Sequence, residues 1–120
     1  MTPAEIDPVV HLELRTPNLA RACGFYTRLF GWRAETVYAD AGSYLELDLA
    51  AGIGGGVVER EAGRPLWLPY VEVADVGDAV DRARALGGRV ALQPREGPAG
   101  WRAVVAAPAG GEIALWQPKR

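Results

Sequence analysis

The sequence predicts an α+β fold of two tandem βαβββ modules, in which curved mixed sheets enclose a cleft and the helices lie on the outer face. Two observations support this prediction. Each half of the chain reads as a strand, a helix and three further strands, and the two helices end in similar segments, 29–33 (LFGWR) and 85–89 (ALGGR). Duplication of one supersecondary unit indicates that neither unit closes a core alone. The modules cover about residues 7–60 and 66–118 of a single domain, 1–120.

Composition narrows the class of protein. Hydrophobic residues make up 49% of the chain and charged residues 23%, which is ordinary for a globular domain. A net charge of −2 gives no excess of cations to neutralise phosphates, so we expect no nucleic acid partner. The sequence has neither a signal peptide nor a long apolar run, so no membrane partner is expected. The single Cys23 excludes an internal disulfide, and a cytoplasmic location is the default expectation.

The first module is predicted from alternating polarity along its strands and from residues that begin and end its helix. Residues 9–15 alternate in polarity, which is the period-2 pattern of a half-buried strand. Asn18 is an N-cap for the helix that follows, and Gly31 is placed to end it in the left-handed conformation. Segments 33–38 and 43–49 read as strands. We expect 52–56 (GIGGG) to form a mobile hairpin or bulge near the cleft mouth, before a last strand over 57–60.

The second module repeats this order. Residues 66–73 predict a strand, and Asp75 is an N-cap for a shorter helix that Gly87 and Gly88 end. Segments 89–93, 101–106 and 112–116 supply three more strands between Pro- and Gly-rich turns.

Alternation along the strands separates two faces of the predicted sheets. An aliphatic set is expected beneath the helices: Leu12, Leu14, Leu45, Leu47, Val71, Val73, Ile113 and Leu115. A second set is expected on the face toward the cleft: His11, Glu13, Tyr44, Glu46, Tyr70, Glu72, Ala114 and Trp116. We expect function to lie on this second face.

Several segments resemble the vicinal oxygen chelate superfamily, which includes glyoxalase I, the extradiol dioxygenases and the bleomycin-resistance proteins. In the first module they are 11–18 (HLELRTPN) and 25–32 (FYTRLFGW). In the second they are 69–73 (PYVEV), 86–88 (LGG), 107–111 (APAGG) and 114–118 (ALWQP). The resemblance implies the paired βαβββ fold, but it does not imply one activity, because the superfamily hosts several chemistries.

The same resemblance allows a test for a metal site. In metal-using members, the first and last strands of each module each supply one ligand, typically His or Glu. The resemblance places His11 at the first such position and Ala114 at the last. The repeat offset of 57, which also maps Tyr44 onto Trp101, adds Leu68 and Val57. Of these four residues only His11 can bind a divalent ion, so we expect no metal site and no catalytic residue, with His11 as the one remaining metal candidate.

Alternatives remain open for the polar residues. His11 is either a polar residue lining the cavity or part of a displaced ligand set: His11, Glu13, Glu59 and Glu112. Carboxylates of Glu13, Glu46, Asp48 and Glu72 either attract a cationic ligand or are solvated strand ends. The rings of Tyr44, Tyr70, Trp101 and Trp116 either stack on a ligand or fill a core or dimer interface.

The sequence therefore supports two main hypotheses. The first is a homodimeric protein of the bleomycin-resistance type that binds a small organic ligand, cationic or aromatic, without a cofactor. Its expected ligand-binding residues are His11, Glu13, Tyr44, Glu46, Val57, Leu68, Tyr70, Trp101 and Ala114. The alternative is a metal-dependent lyase, isomerase or dioxygenase that uses the displaced ligand set around His11. A module whose cleft is closed and which serves only as an interaction surface is a third hypothesis.

Overall fold

A computed structural model describes residues 6–39, 42–61 and 63–119. The chain forms two compact units, one of residues 10–69 and one in which residues 70–119 are joined by 6–9. The first module contains β1 (Val9–Thr16), α1 (Leu19–Phe30), β2 (Arg33–Ala39), β3 (Gly42–Asp48) and β4 (Gly54–Glu59). The second contains β5 (Leu66–Glu72), α2 (Val76–Ala85), β6 (Arg89–Glu96), β7 (Gly100–Ala106) and β8 (Glu112–Pro118). The predicted α+β class with two βαβββ modules is confirmed.

The two modules pair their strands in the same way. In the first module the strand order is β2-β3-β4-β1, and in the second it is β6-β7-β8-β5. The first and last strands of each module are parallel neighbours, β1 with β4 and β5 with β8, whereas the other pairs are antiparallel. Each module therefore brings its opening strand beside its closing strand.

Helix ends follow the predicted capping chemistry. The Asn18 side chain accepts a hydrogen bond from the backbone N–H of Arg21 at 3.0 Å, and Asp75 accepts one from the N–H of Asp78 at 2.9 Å. Gly31 ends α1 with a φ of 71°, and its N–H donates to the Thr27 carbonyl at 2.9 Å. These contacts satisfy backbone groups that a helix terminus leaves without partners.

Each unit has its own core beneath its helix. In the first unit Leu14, Leu47 and Val57 are buried and pack with side chains of α1. In the second unit six buried residues form a cluster between α2, which supplies two of them, and the strands: Val73, Val76, Val80, Ala103, Val105 and Leu115. Burial of this apolar surface is the main driving force for folding, and it fixes which strand face turns away from the helix.

The prediction of a loop over 52–56 is wrong for residues 54–56, which form the start of β4. Gly55 and Gly56 are buried within this strand. A Cβ at Gly55 would lie 2.7 Å from Leu49 Cγ and 3.0 Å from the Leu47 carbonyl oxygen, so the strand fits there only as glycine. The turn itself precedes the strand, where Ala50 and Ala51 adopt φ values of 62° and 55°.

Replacement of Leu47 tests the core of the first unit. Leu47 is 2% exposed, and Leu47→Ala is expected to lower the free energy of unfolding by about 2–5 kcal/mol, because it removes buried methyl groups and leaves a cavity. Chemical denaturation measures this change. Leu86→Ala is the control, since Leu86 is 74% exposed, and it is expected to change stability by less than about 0.5 kcal/mol. Equal losses in the two variants would contradict this assignment of the core.

Candidate functional site

His11 lies on the face of the first sheet that points away from α1. It is paired in register with Gly54 on the neighbouring parallel strand β4. A Cβ at Gly54 would stand 3.0 Å from His11 Nδ1, and a Cβ at Gly56 would stand 3.4 Å from Nε2. The imidazole therefore occupies space that side chains at these two positions would need. Glycine in β4 is what allows the ring to lie against the strand.

Two carboxylates flank this contact. Gly56 is in register with Glu13 on β1 and with Glu46 on β3, so both acidic residues share the face of His11. Glu13 is 8% exposed, and its Oε2 accepts a hydrogen bond from Arg15 Nε at 3.0 Å. A buried carboxylate needs such a partner. The charge of Glu13 is therefore balanced by Arg15, whereas Glu46 is exposed.

Burial lowers the pKa of His11 below its usual value of 6.5, because the charged imidazolium loses hydration. The negative charges of Glu13 and Glu46 oppose this shift but do not cancel it. At neutral pH the ring is consequently uncharged. One of its nitrogens can accept a hydrogen bond and the other can donate one.

An open groove of about 560 Å³ lies on the first unit beside His11. Gly54 connects the groove with His11. It lines the groove, and a Cβ at this position would stand 3.0 Å from His11 Nδ1. The residues that line the groove are Arg33, Ala34, Glu35, Glu46, Leu47, Asp48, Ile53 and Gly54. A volume of this size is within the range of small-molecule sites, about 300–1,000 Å³.

The groove is negatively charged, because the register of β2 and β3 brings several carboxylates together in its lining. Glu35 and Glu46 are directly opposite each other on β2 and β3, and like charges in that relation are destabilising. Arg33 is in register with Asp48 and adds one positive charge to the groove lining. With three carboxylates against one guanidinium, the groove attracts cations.

The turn beside the groove holds backbone strain. Ala50 and Ala51 both have positive φ, a conformation in which an L residue with a Cβ is disfavoured. The Asp48 Oδ1 atom accepts a hydrogen bond from the Ala50 N–H at 2.9 Å and supports the turn. Strain of this kind persists where surrounding contacts hold it, and it is often found at ligand sites.

The corresponding face of the second unit carries different side chains. Ala114 is in register with Tyr70 on one side and with Val104 on the other, and it is fully buried. The hydroxyl of Tyr70 accepts a hydrogen bond from Arg102 Nη1 at 3.2 Å. Leu68, which precedes Tyr70 on β5 and belongs to the first unit, is 1% exposed. Neither Leu68 nor Ala114 has an atom that could bind a metal ion.

Most of the predicted face residues are placed as expected. Strand alternation and register put Tyr44, Glu46 and Glu13 on the face of His11, and Glu72 in register with Trp116 on that of Tyr70. Arg102, Glu35 and Arg33 were not among the predicted site residues. Glu35 and Arg33 alternate along β2, but their place in the groove depends on the register with β3, which no pattern in the sequence specifies.

Two predicted cleft residues are wrong. Val57 lies in the core beneath α1, on the face opposite His11, and Trp101 packs against the core beneath α2. The error arises because one offset, 57 residues, was applied to every position of the two modules. Residue 54 follows its partner 11 by 43 positions, whereas residue 114 follows its partner 70 by 44. The counterpart of Ala114 is therefore Gly56, because a slip of one residue moves a side chain to the other face.

The residues present do not fit a glyoxalase-type metal centre. After this correction the four ligand positions hold His11, Gly56, Leu68 and Ala114, and only the first has a donor atom. The displaced set also fails, because Glu59 lies on the helix side, where its Oε1 accepts a hydrogen bond from the Leu19 N–H at 3.3 Å. Glu112 is exposed at the start of β8. Within residues 6–39, 42–61 and 63–119, no group of three or more His, Cys, Asp or Glu side chains could hold an ion.

This fold and this face define the class of protein. Residues 9–115 match the Glyoxalase/Bleomycin resistance protein/Dioxygenase superfamily, and the chain belongs to it. The resemblance drawn from the sequence is thus confirmed. Among solved structures, methylmalonyl-CoA epimerase from Mycobacterium tuberculosis superposes with a TM-score of 0.71 at 16% identity, over 100% of this chain and 94% of that one. Hypothetical protein BH1468 from Bacillus halodurans C-125 superposes with a TM-score of 0.74 at 10% identity, over 97% of each chain. These similarities show the fold.

Two curated relatives are closer in sequence. CFP32 of Mycobacterium tuberculosis (strain CDC 1551 / Oshkosh), whose name assigns it provisionally to the glyoxylases, is 30% identical over 117 residues and 91% of this chain. The anthracycline biosynthesis protein DnrV of Streptomyces peucetius is 31% identical over 124 residues and 88% of this chain. In each case the match spans 45% of the relative, so this chain corresponds to about half of their length.

The helices α1 and α2 lack the length and hydropathy that a membrane crossing requires, and the same holds for any helix among the described residues.

The uncharged state of His11 predicts a pH dependence of stability. Because the folded chain lowers the pKa of His11, the unfolded chain binds its proton first as pH falls. The free energy of unfolding is expected to fall as pH drops through about 6.5, and to level off below the folded-state pKa. Denaturation across this range should show the slope in the native protein, and His11→Asn should remove it.

A direct measurement is available because His11 is the only histidine in the chain. The signal of its Cε1–H group, followed in an NMR titration, reports the folded-state pKa, and no other histidine can be confused with it. A value at or above 6.5 would contradict the half-buried, uncharged state of the ring.

Proposed function

We propose that this chain binds a small organic ligand in the groove beside His11, without a metal cofactor and without catalysis. The observation that carries the proposal is the combination found at the ligand positions. The groove and the imidazole lie side by side, whereas three of the four positions that the resemblance implies for metal ligands hold Gly56, Leu68 and Ala114. A catalytic ion needs about three protein donors, and these side chains supply none.

The charge of the groove favours a cation. Glu35, Glu46 and Asp48 line it against Arg33 alone, and the opposed pair Glu35 and Glu46 is relieved when a positive group binds between them. A protonated amine or a similar group would therefore be attracted and positioned here. The ring of Tyr44, on the same face and 37% exposed, offers an aromatic surface for a flat ligand.

His11 lies beside this groove, next to Gly54, which lines it. An uncharged imidazole does not repel a cationic ligand. Beside a carboxylate such as Glu46, it would set the orientation of a polar group on the ligand. No proton transfer is required for this role.

Relatives suggest which probes to use first. The resemblance to bleomycin-resistance proteins implies sequestration of a cationic drug, and one relative is named for anthracycline biosynthesis. An anthracycline that carries a protonated amino group combines a flat ring system with a cation. The proposal also includes a homodimer acting in the cytoplasm, which the lone free thiol of Cys23 permits.

Ligand binding is tested by thermal shift with cationic anthracyclines, bleomycin-type drugs and neutral aromatic analogues. Cationic compounds should raise the melting temperature and neutral analogues should not, because only the former gain from the groove carboxylates. Glu46→Gln and Asp48→Asn should each weaken binding by roughly 3–10-fold, in line with an exposed charge contact of up to about 1 kcal/mol or slightly more. The matched control is Glu61→Gln, which removes an exposed carboxylate outside the groove.

No stabilisation by any cationic compound, or equal losses in the control variant, would contradict the acidic-groove proposal. Lyase, isomerase or dioxygenase activity that depends on added divalent metal and disappears in His11→Ala would instead support the enzymatic alternative.

A further inference from the structure

Two arginines lie directly opposite each other on neighbouring strands of the second unit. The antiparallel register of β6 with β7 pairs Arg95 with Arg102. Residues paired in this way point their side chains to the same face of the sheet, and like charges in that relation are destabilising. An anion bound between the two guanidinium groups would relieve this repulsion. We call these two residues the arginine pair.

Within the described part of the chain, no carboxylate forms an ion pair with either arginine. The ion pairs among residues 6–39, 42–61 and 63–119 are those of Arg15 with Glu13, Arg84 with Asp81 and Lys119 with Glu96. Glu96 follows Arg95 in the chain, but it is in register with Trp101, which packs on the core beneath α2. Strand alternation therefore places Glu96 on the other face, away from the arginine pair.

Arg102 is half-buried, and a neutral group holds it. Its Nη1 donates a hydrogen bond to the Tyr70 hydroxyl at 3.2 Å, and Tyr70 is 7% exposed. This bond orients the guanidinium without neutralising it. A guanidinium has five N–H donors in a fixed plane, so the donors that do not face Tyr70 suit the paired oxygens of a carboxylate or phosphate.

An indole ring lies beside the arginine pair. Trp116 on β8 is in register with Arg102 on β7. A Cβ at Gly100 would stand 2.9 Å from Trp116 Cη2, so the ring lies across β7 where glycine leaves room for it. Trp116 is half-buried, and part of its surface is therefore accessible. Such a ring offers a surface on which a flat group can stack.

Glu72 determines on which side of the indole an acid group is favoured. It is in register with Trp116 from β5, whereas Arg102 is in register with Trp116 from β7. Glu72 and the arginine pair thus flank the indole on opposite sides. The acid group of a stacked ligand is repelled by the carboxylate and attracted by the two arginines, which fixes its orientation.

We propose that Arg95, Arg102 and Trp116 form a binding site for a flat aromatic compound that carries an oxyanion, either a carboxylate or a phosphate. The arginine pair binds the acid group, and the indole stacks on the ring. The site lies within the second unit. It takes an anion, whereas the groove beside His11 attracts cations, so it does not depend on the function proposed above.

NMR titration of the full chain with four probes tests the site: benzoate, phenyl phosphate, benzamide and inorganic phosphate. Benzoate and phenyl phosphate should shift the indole N–H signal of Trp116 with a Kd of about 0.1–5 mM, as expected for ligands of roughly ten heavy atoms. Benzamide should bind roughly tenfold more weakly, because it has the ring without the charge. Inorganic phosphate should bind roughly 3–10-fold more weakly than phenyl phosphate, because it has no ring to stack.

Variants of the arginine pair locate the charge contact. Arg95→Gln should weaken binding of both aromatic anions by roughly 3–5-fold, because Arg95 is exposed. Arg102→Gln should weaken it by roughly tenfold or more, and Arg102→Lys should recover only part of the loss, because lysine lacks the planar fork. The matched control is Arg89→Gln, which removes an exposed arginine at the other end of the same strand and should leave binding unchanged. Circular dichroism and melting temperature establish that each variant is folded.

Equal binding of benzamide and benzoate, or equal losses in Arg95→Gln and Arg89→Gln, would overturn the proposal. Inorganic phosphate that binds as tightly as phenyl phosphate would overturn the role given to Trp116. A preference for benzoate would support the proposal and assign the ligand to the carboxylates, and a preference for phenyl phosphate would support it and assign the ligand to the phosphate esters.

Discussion

The imidazole of His11 lies against the backbone of β4, and the chemistry proposed for the first unit depends on this contact. Residues 54–56 are all glycine, and side chains from neighbouring segments lie close to both faces of the strand here. On one face His11 fills the space beside Gly54 and Gly56, and on the other Leu49 and Leu47 crowd Gly55. The position at which the family resemblance implies a metal ligand in this strand is Gly56. The imidazole of His11, which the resemblance places at the first ligand position, is half-buried and uncharged.

Electrostatics in the first unit follow from the same register. Pairing of β1, β4 and β3 places Glu13 and Glu46 on either side of Gly56, and pairing of β3 with β2 adds Glu35. Glu13 is balanced by Arg15, so the negative charge is concentrated in the groove. The cores beneath the helices hold these registers, because a slip of one residue would bury the charged face. Packing on one side of the sheet thus determines the chemistry on the other.

Much of the fold could be predicted from the sequence, because helix caps and strand alternation are local signals. Asn18, Gly31 and Asp75 end their helices as expected, and His11, Tyr44 and Glu46 share a face as expected. The start of β4 could not be predicted, since glycines at 54–56 read as a turn and only contacts with Leu49 and His11 explain them as a strand. Val57 and Trp101 were misplaced because the two modules differ by one residue in the spacing of their parallel strands. That difference is a property of strand pairing and leaves no pattern in either strand.

We infer that the absence of donor atoms, and not the geometry of the groove, separates this chain from metal-using members of the superfamily. Elemental analysis of untagged protein purified without chelator, followed by titration of the His11 imidazole signal with zinc, nickel, manganese and ferrous ions, tests this most directly. We predict metal contents well below one ion per chain and no stoichiometric change in the imidazole signal. One tightly held equivalent of any of these ions, with a matching change at His11, would show that the chain does hold a metal ion.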